Sequence, residues 1–193
     1  MPPKSKITKE QIVSKGLQLI EEKGLEQLNA RSLAKMLSCS TQPLFYCFKN
    51  MEEIESEIKK AALTLYEGYI NEGLKNPKPF LGSGLAYIKF AKEHPNLFRF
   101  LYMNNSNQNY DNVNIDSKED KEIIEETIHK STGLESDQIK LMHLSSWIFV
   151  HGIASMIATK TINYTDDIIE MLLINFYQGM LLQFKKEKND NGK

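Results

Sequence analysis

The 193-residue chain is expected to be all-α, with about nine helices. Three observations predict this. Apolar residues recur at helical spacing along most of the chain, and no stretch sustains the strict alternation of a half-buried strand. Ser, Thr and Asn residues that cap helices, and the Gly and Pro residues that stop them, fall at the edges of the periodic runs.

Thr8 with Gln11 forms a capping-box pair that opens a first helix, whose inner face is Ile12, Gly16, Leu19 and Ile20. Gly24 supplies a left-handed stop. Asn29 caps a short helix over 30–37 with Leu33 and Leu37 turned inward. Ser38, Cys39 and Ser40 make a tight connection, and Ser40 is expected to cap a third helix over 41–47. Pro43 falls in its first turn, where a missing N–H costs little. Asn50 with Glu53 repeats the capping signature and opens a long helix to about Lys75, stopped by Asn76, Pro77 and Pro79. Further helices are expected at 79–93, 95–103, 118–132, 135–160 and 165–186. The stretch 104–117 carries Asn at 104, 105, 107, 109, 112 and 114 and few apolar residues. It reads as a mobile surface loop, with an ordered lid over a pocket as the alternative. The polar tail from Lys185 to Lys193 is expected to fray. There is no internal repeat.

Hydrophobic residues make up 41% and charged ones 25%, enough apolar material for a real core. The basic start, Met1 to Lys9, lacks the apolar stretch of a signal peptide. No uninterrupted apolar run approaches the ~20 residues that cross a bilayer, so no membrane partner is expected. Cys39 and Cys47 lack a metal-ligand pattern and suit a reducing, cytoplasmic setting; without an activating partner they do not read as a redox switch. The formal net charge of -1 hides an asymmetry. Residues 1–50 carry eight Lys or Arg against four Glu, a net +4, which leaves -5 for the rest. A basic head on an acidic body is what local phosphate binding needs, because screening confines a charge's reach to ~10 Å.

Two short helices joined by a three-residue link and backed by a third helix form a helix-turn-helix, the geometry that presents one helix to a major groove. The third helix carries Thr41, Gln42, Phe45 and Tyr46 around inward-facing Leu44 and Phe48. Hydroxyl, amide and aromatic groups near a helix N-terminus suit base edges and phosphates. The plainer reading is a three-helix bundle whose polar face is only solvated.

The words of the sequence bear on that choice. The 47-residue stretch TKEQIVSKGLQLIEEKGLEQLNARSLAKMLSCSTQPLFYCFKNMEEI resembles the N-terminal domain of TetR-family regulators. The resemblance implies a DNA-binding domain over 1–50 and a helical ligand-binding and dimerisation domain over 51–193. It implies that Asn29 and Arg31 touch the DNA backbone or a groove edge, and that Ser40, Thr41, Gln42, Phe45 and Tyr46 face the operator. Lys49 would meet phosphate. Three positions depart from the family pattern: Phe45 stands where a phosphate-binding Tyr is usual, Cys47 where His is common, and Met51 where Lys is frequent. Fewer polar contacts there would weaken backbone affinity and its salt dependence. Further on, YIKFAKEHPNLFRFLYM and WIFVHGIASMI resemble the TetR regulators whose sensor region is named for a Trp–His–Gly motif, here Trp147, His151 and Gly152.

His143, Trp147 and His151 recur every four residues and so share one stripe of a helix. Eight residues at 1.5 Å rise part the two histidines by about 12 Å, which metal–nitrogen bonds of ~2 Å cannot bridge within one chain. No metal and no cofactor is expected. The stripe lines a ligand pocket, or it packs in the core or at a seam between subunits. Small residues on that helix, Ser145, Ser146, Gly152, Ala154, Ser155 and Ala158, permit close approach of another helix, so Gly152 reads as a packing residue. Tyr66, Tyr69, Tyr87, Phe90, Phe98, Tyr102 and Met142 are further pocket candidates and would suit a small, mainly apolar ligand. Arg99, one of two arginines, would grip a ligand carboxylate or pair with a nearby acid or helix end. The last helix carries apolar stripes at 168, 172, 176, 180 and 184 and at 169, 173, 177 and 181, wider than one packed face needs. With the helix before it, this suggests a homodimer seam, and a two-fold dimer places two reading heads on near-palindromic double-stranded DNA. The resulting expectation is a ligand-responsive repressor that releases its operator when a small molecule binds. The alternative is a helical ligand carrier or protein-interaction module that has lost specific DNA binding. No Gly-rich phosphate loop, nucleophile–base set or carboxylate cluster points to an enzyme.

Overall fold

The computed structural model describes residues 7–104 and 118–190, and these are all-helical, with nine α-helices and no strand. They form two compact units. The first holds the described residues through Gly68 together with Glu93–Asn104; the second holds Tyr69–Lys92 and the described residues from Lys118 onward.

In the first unit, α1 (Lys9–Lys23) opens with the expected capping box: the Thr8 hydroxyl accepts from the Gln11 N–H at 3.3 Å, and Gln11 Oε1 accepts from the Thr8 N–H at 3.1 Å. Gly24, at φ 85, ends it and donates its N–H to the Ile20 carbonyl. A short 3-10 turn, Leu25–Gln27, then intervenes, which periodicity alone did not separate. Asn29 caps α2 (Ala30–Met36), its Oδ1 accepting from the Ser32 N–H at 3.0 Å. Leu33 is fully buried, while Leu37 is only half-buried because it already lies in the cap beyond the helix. The link to α3 (Gln42–Cys47) closes with the Cys39 N–H donating to the Ala34 carbonyl at 2.9 Å, and Ser38 takes a left-handed backbone at φ 52. Ser40 does not cap α3. The cap is Thr41, itself in helical conformation with no side-chain cap bond, and Pro43 occupies the first turn as expected.

The long α4 (Met51–Gly73) starts at Asn50, whose Oδ1 accepts from the Glu53 N–H at 2.9 Å. The return half of that box is shifted: Glu53 Oε2 accepts from the Lys49 N–H at 2.7 Å instead. The core of this unit joins Ile12, Ile20, Leu33, Leu44, Ile54 and Ile58, all fully buried. Each such side chain stabilises the fold by roughly 1.5–3 kcal/mol. A Cβ at Gly16 would stand 2.2 Å from Ile58 Cδ1, so α1 meets Ile58 closely here and a larger residue would make that side chain shift. The unit is completed by α6 (Pro95–Tyr102), with Leu97, Phe98 and Phe100 buried.

In the second unit, α4 ends at Gly73, short of Lys75, where a turn leads to α5 (Pro79–Glu93). The two helices nearly touch through backbone: a Cβ at Gly82 would lie 2.1 Å from the Gly73 carbonyl oxygen. Nine residues of α5 are buried, on more than one face. The unit also holds α7 (Lys118–Thr132), α8 (Ser136–Ala158) and α9 (Asp166–Asp190); α8 and α9 meet α5 at Gly84, where a Cβ would stand 3.3 Å from Val150 and 2.5 Å from the Tyr177 hydroxyl. Phe149 of α8 stacks on Phe176 of α9 at 4.4 Å between ring centres. By length and composition α8 is apolar enough to cross a bilayer, which a search for uninterrupted runs misses because Lys140, His143 and His151 interrupt it. Here one face of it packs within the unit, with Ile139, Met142, Ser146, Val150, Ile153, Ala154 and Ala158 buried.

The last helix runs to Asp190, past the expected end at 186, and Gln183 Nε2 donates to Glu187 Oε1 at 2.8 Å along it. The Asn-rich stretch from 105 to 117, the first six residues and the last three lie outside the described residues.

Candidate functional site

Two groups of side chains carry the expected chemistry, one in each unit. In the first, the packing of Leu44 (0% exposed) and Phe48 (3%) fixes which face of α3 turns out. Gln42, Phe45 and Tyr46, at i, i+3 and i+4, form that outer face. Tyr46 is 75% exposed and Phe45 43%. Gln42 Nε2 donates to Tyr46 Oη, a bond that uses neither the Gln42 carbonyl oxygen nor the Tyr46 hydroxyl proton. Ser40 is exposed and Thr41 half-buried in the turn that leads into this face. Arg31 is exposed in the first turn of α2, and Lys49 is exposed just past α3.

Asn29 is exposed too, but its side chain is occupied. Besides capping Ser32, its Nδ2 donates to the Gln27 carbonyl at 3.2 Å. Cys47 is half-buried and its thiol points to the Ile7 carbonyl at 3.6 Å, while Cys39 and Cys47 are both free. Lys9 Nζ sits 4.9 Å over the Phe48 ring.

Periodicity gave no sign of one polar cluster in this unit. Glu21 of α1 accepts at its backbone carbonyl from Asn96 Nδ2 (2.8 Å), and its Oε1 lies 3.0 Å from His94 Nδ1. These residues stand 73 and 75 positions apart, so no local pattern joins them.

The ten candidate ligand residues divide between the units. Tyr66, Phe98 and Tyr102 fall in the first, where Tyr102 meets Tyr66 edge-on at 5.7 Å and Phe98 at 5.2 Å. Arg99 is exposed there and donates to the Asn96 carboxamide oxygen, so its partner is an amide rather than an acid or a helix end.

The other seven lie in the second unit. Tyr69 and Phe90 meet edge-on at 5.4 Å, and Met142 is buried. The stripe of α8 packs within the unit: His143 Nδ1 is 3.9 Å from Glu125 Oε1 of α7, and Trp147 stacks on His151 at 4.8 Å and 20°. His151 Nδ1 shares a hydrogen bond with Tyr87 Oη of α5 at 2.9 Å. Burial holds the His151 pKa below its ordinary value, so the neutral imidazole is favoured. Burial also pushes the Tyr177 hydroxyl well above the usual phenol range. Trp147 Nε1 and Ser146 Oγ are both shielded from solvent, with no hydrogen-bond partner among the described residues. Also among the described residues, no group of three or more His, Cys, Asp or Glu is placed to hold a metal ion.

Among the described residues nothing stands within 4 Å of a Cβ built at Gly152, and the same holds for Gly179 of α9. Around these two glycines Leu141, Leu144, Ile148 and Met156 of α8, with Ile168, Met171 and Leu182 of α9, are exposed apolar side chains.

Among the described residues, then, an all-helical fold holds a helix-turn-helix in one unit and an aromatic, partly polar interior in the other. Residues 80–173 match the family model of the tetracyclin repressor-like C-terminal domain. No curated protein matches the chain.

Proposed function

We propose that the protein is a homodimeric DNA-binding transcriptional regulator of the TetR family, and that it releases its operator when a small molecule binds in the second unit. The observation that carries this is the outer face of α3, where Gln42, Phe45 and Tyr46 stand clear of a core held by Leu44 and Phe48. It occurs in the same chain as the repressor-like segment over 80–173. In this reading the head spans 1–50 and the sensing and dimerising body 51–193, in a cytoplasmic protein. Arg31 and Lys49 meet phosphates, which set register, while Gln42 and Tyr46 meet base edges, which set sequence. Ser40 and Thr41 contribute from the preceding turn. Asn29 acts by holding the start of α2, since its amide is already engaged.

The dimer forms through α8 and α9. Their exposed apolar residues and two open glycines make a face that fits a second copy of itself across a two-fold axis. The helix α4 runs unbroken from Met51 to Gly73 and contributes to both units, so it is the covalent route from sensor to reader. A ligand shifts the reader only as far as it prefers one conformation over the other.

The test is footprinting and gel-shift titration with the intact protein on DNA flanking its gene, followed by the same assay on Arg31→Ala and Tyr46→Ala. Arg31→Ala should weaken binding to all duplexes and lower the salt slope by about 1. Tyr46→Ala should reduce preference for the protected site about tenfold, which corresponds to about 1.4 kcal/mol. Sequence-specific binding unchanged in both variants would overturn these assignments.

A further inference from the structure

The unexplained feature of the second unit is Trp147. Its indole N–H can only donate, it is shielded from water, and no acceptor meets it among the described residues. Native interiors rarely keep such a donor unsatisfied, so each instance calls for an explanation. The surroundings define what acceptor would suit. The indole is stacked on His151, and His151 is held by Tyr87, so the aromatic pair is fixed in place rather than free to turn toward solvent. Burial lowers the imidazole's pKa and so favours its neutral form. Ser146, the preceding residue on the same helix, is 3% exposed, and its hydroxyl is a second polar group without a partner among the described residues. The two orphans are a donor and a donor–acceptor, with no full charge between them.

We propose that Trp147 is the polar anchor of a ligand site for an uncharged, largely apolar molecule bearing a carbonyl-type oxygen, which accepts the indole N–H. The proposal rests on the reading of the second unit as a sensor and names the chemistry of what it senses. An apolar wall alone distinguishes shapes weakly. A buried donor that must be satisfied rejects an analogue lacking the acceptor much more strongly.

Trp147 is the only tryptophan in the chain, so a uniformly 15N-labelled sample has one indole N–H signal to follow. The intact protein is titrated with 2-acetylnaphthalene and with 2-ethylnaphthalene, which has nearly the same size and shape but no acceptor. The expected result is a downfield shift of the indole proton with the ketone only, and about tenfold tighter binding of the ketone by calorimetry. In Trp147→Phe, which keeps an aromatic ring and loses the donor, both probes should bind with equal, weaker affinity. Equal binding of the two by the native protein, binding of neither, or a preference that survives in Trp147→Phe overturns the proposal. The sensor reading is judged separately by operator release. A compound that releases the duplex without moving the Trp147 signal removes this site and leaves that reading standing.

Discussion

Ser38 holds a backbone that L-residues adopt reluctantly, with φ 52 at the turn between α2 and α3. The turn needs that conformation so that the Cys39 N–H can close back on Ala34. Glycine would remove the Cβ strain but add freedom to the unfolded chain, and the first effect is the larger. Ser38→Gly is expected to stabilise the protein by roughly 0.5–1 kcal/mol in chemical denaturation. A loss of stability would show that the serine side chain contributes more than its backbone costs. At His151 the expected effect depends on pH. Burial lowers its folded pKa beneath the ordinary ~6.5, so as pH falls the unfolded chain takes up the proton first. Its contribution to stability is therefore complete above about pH 6.5 and is lost as pH drops from there through the folded value. Comparing melting curves of the native protein and His151→Asn between pH 5 and 8 checks this. The variant should lose less stability on acidification, and parallel curves would contradict the assignment.

Helix ends were the most readable elements, and also the place where reading by pattern slipped. Thr8, Asn29 and Asn50 each cap as their sequence context implies, because a cap depends only on a side chain and an N–H two or three residues away. Ser40 has the right residue type but fails as a cap, since the chain already turns helical at Thr41. The 3-10 turn at Leu25–Gln27 was invisible for the same reason that short elements usually are: three residues establish no period. The cap at Asn29 gives an element-scale prediction. Asn29→Ala should lower stability by about 1 kcal/mol, and Asn29→Ser should recover most of it. If DNA binding falls in Asn29→Ala and returns in Asn29→Ser, the residue acts through the helix it caps. Failure of serine to rescue would assign the amide a direct contact with DNA.

For the molecule as a whole, the open face of α8 and α9 is the feature with the largest consequence. Ile148 is 57% exposed one turn before Gly152, in the middle of this stripe. In the proposed dimer, Ile148→Asp should give monomer in light scattering while leaving the helical content intact. It should also reduce affinity for a palindromic duplex by well over tenfold, because one head reaches only half the site. A dimer of undiminished affinity would place the interface elsewhere.

The amino-acid sequence by itself determined the helical class, nearly all helix positions and the outward residues of α3. All of these follow from spacing within a few turns of one chain segment, which is where side-chain periodicity and capping act. Its wide apolar stripes also implied an unpartnered face on the last two helices. Only the tertiary structure decided which stripe of α8 turns inward, brought Tyr87 to His151 across 64 residues, left the Trp147 N–H without an acceptor among the described residues, and opened Gly152 to the outside. Those outcomes depend on how distant helices meet, and the contact between two helices is set by the joint shape of both surfaces rather than by the pattern of either one.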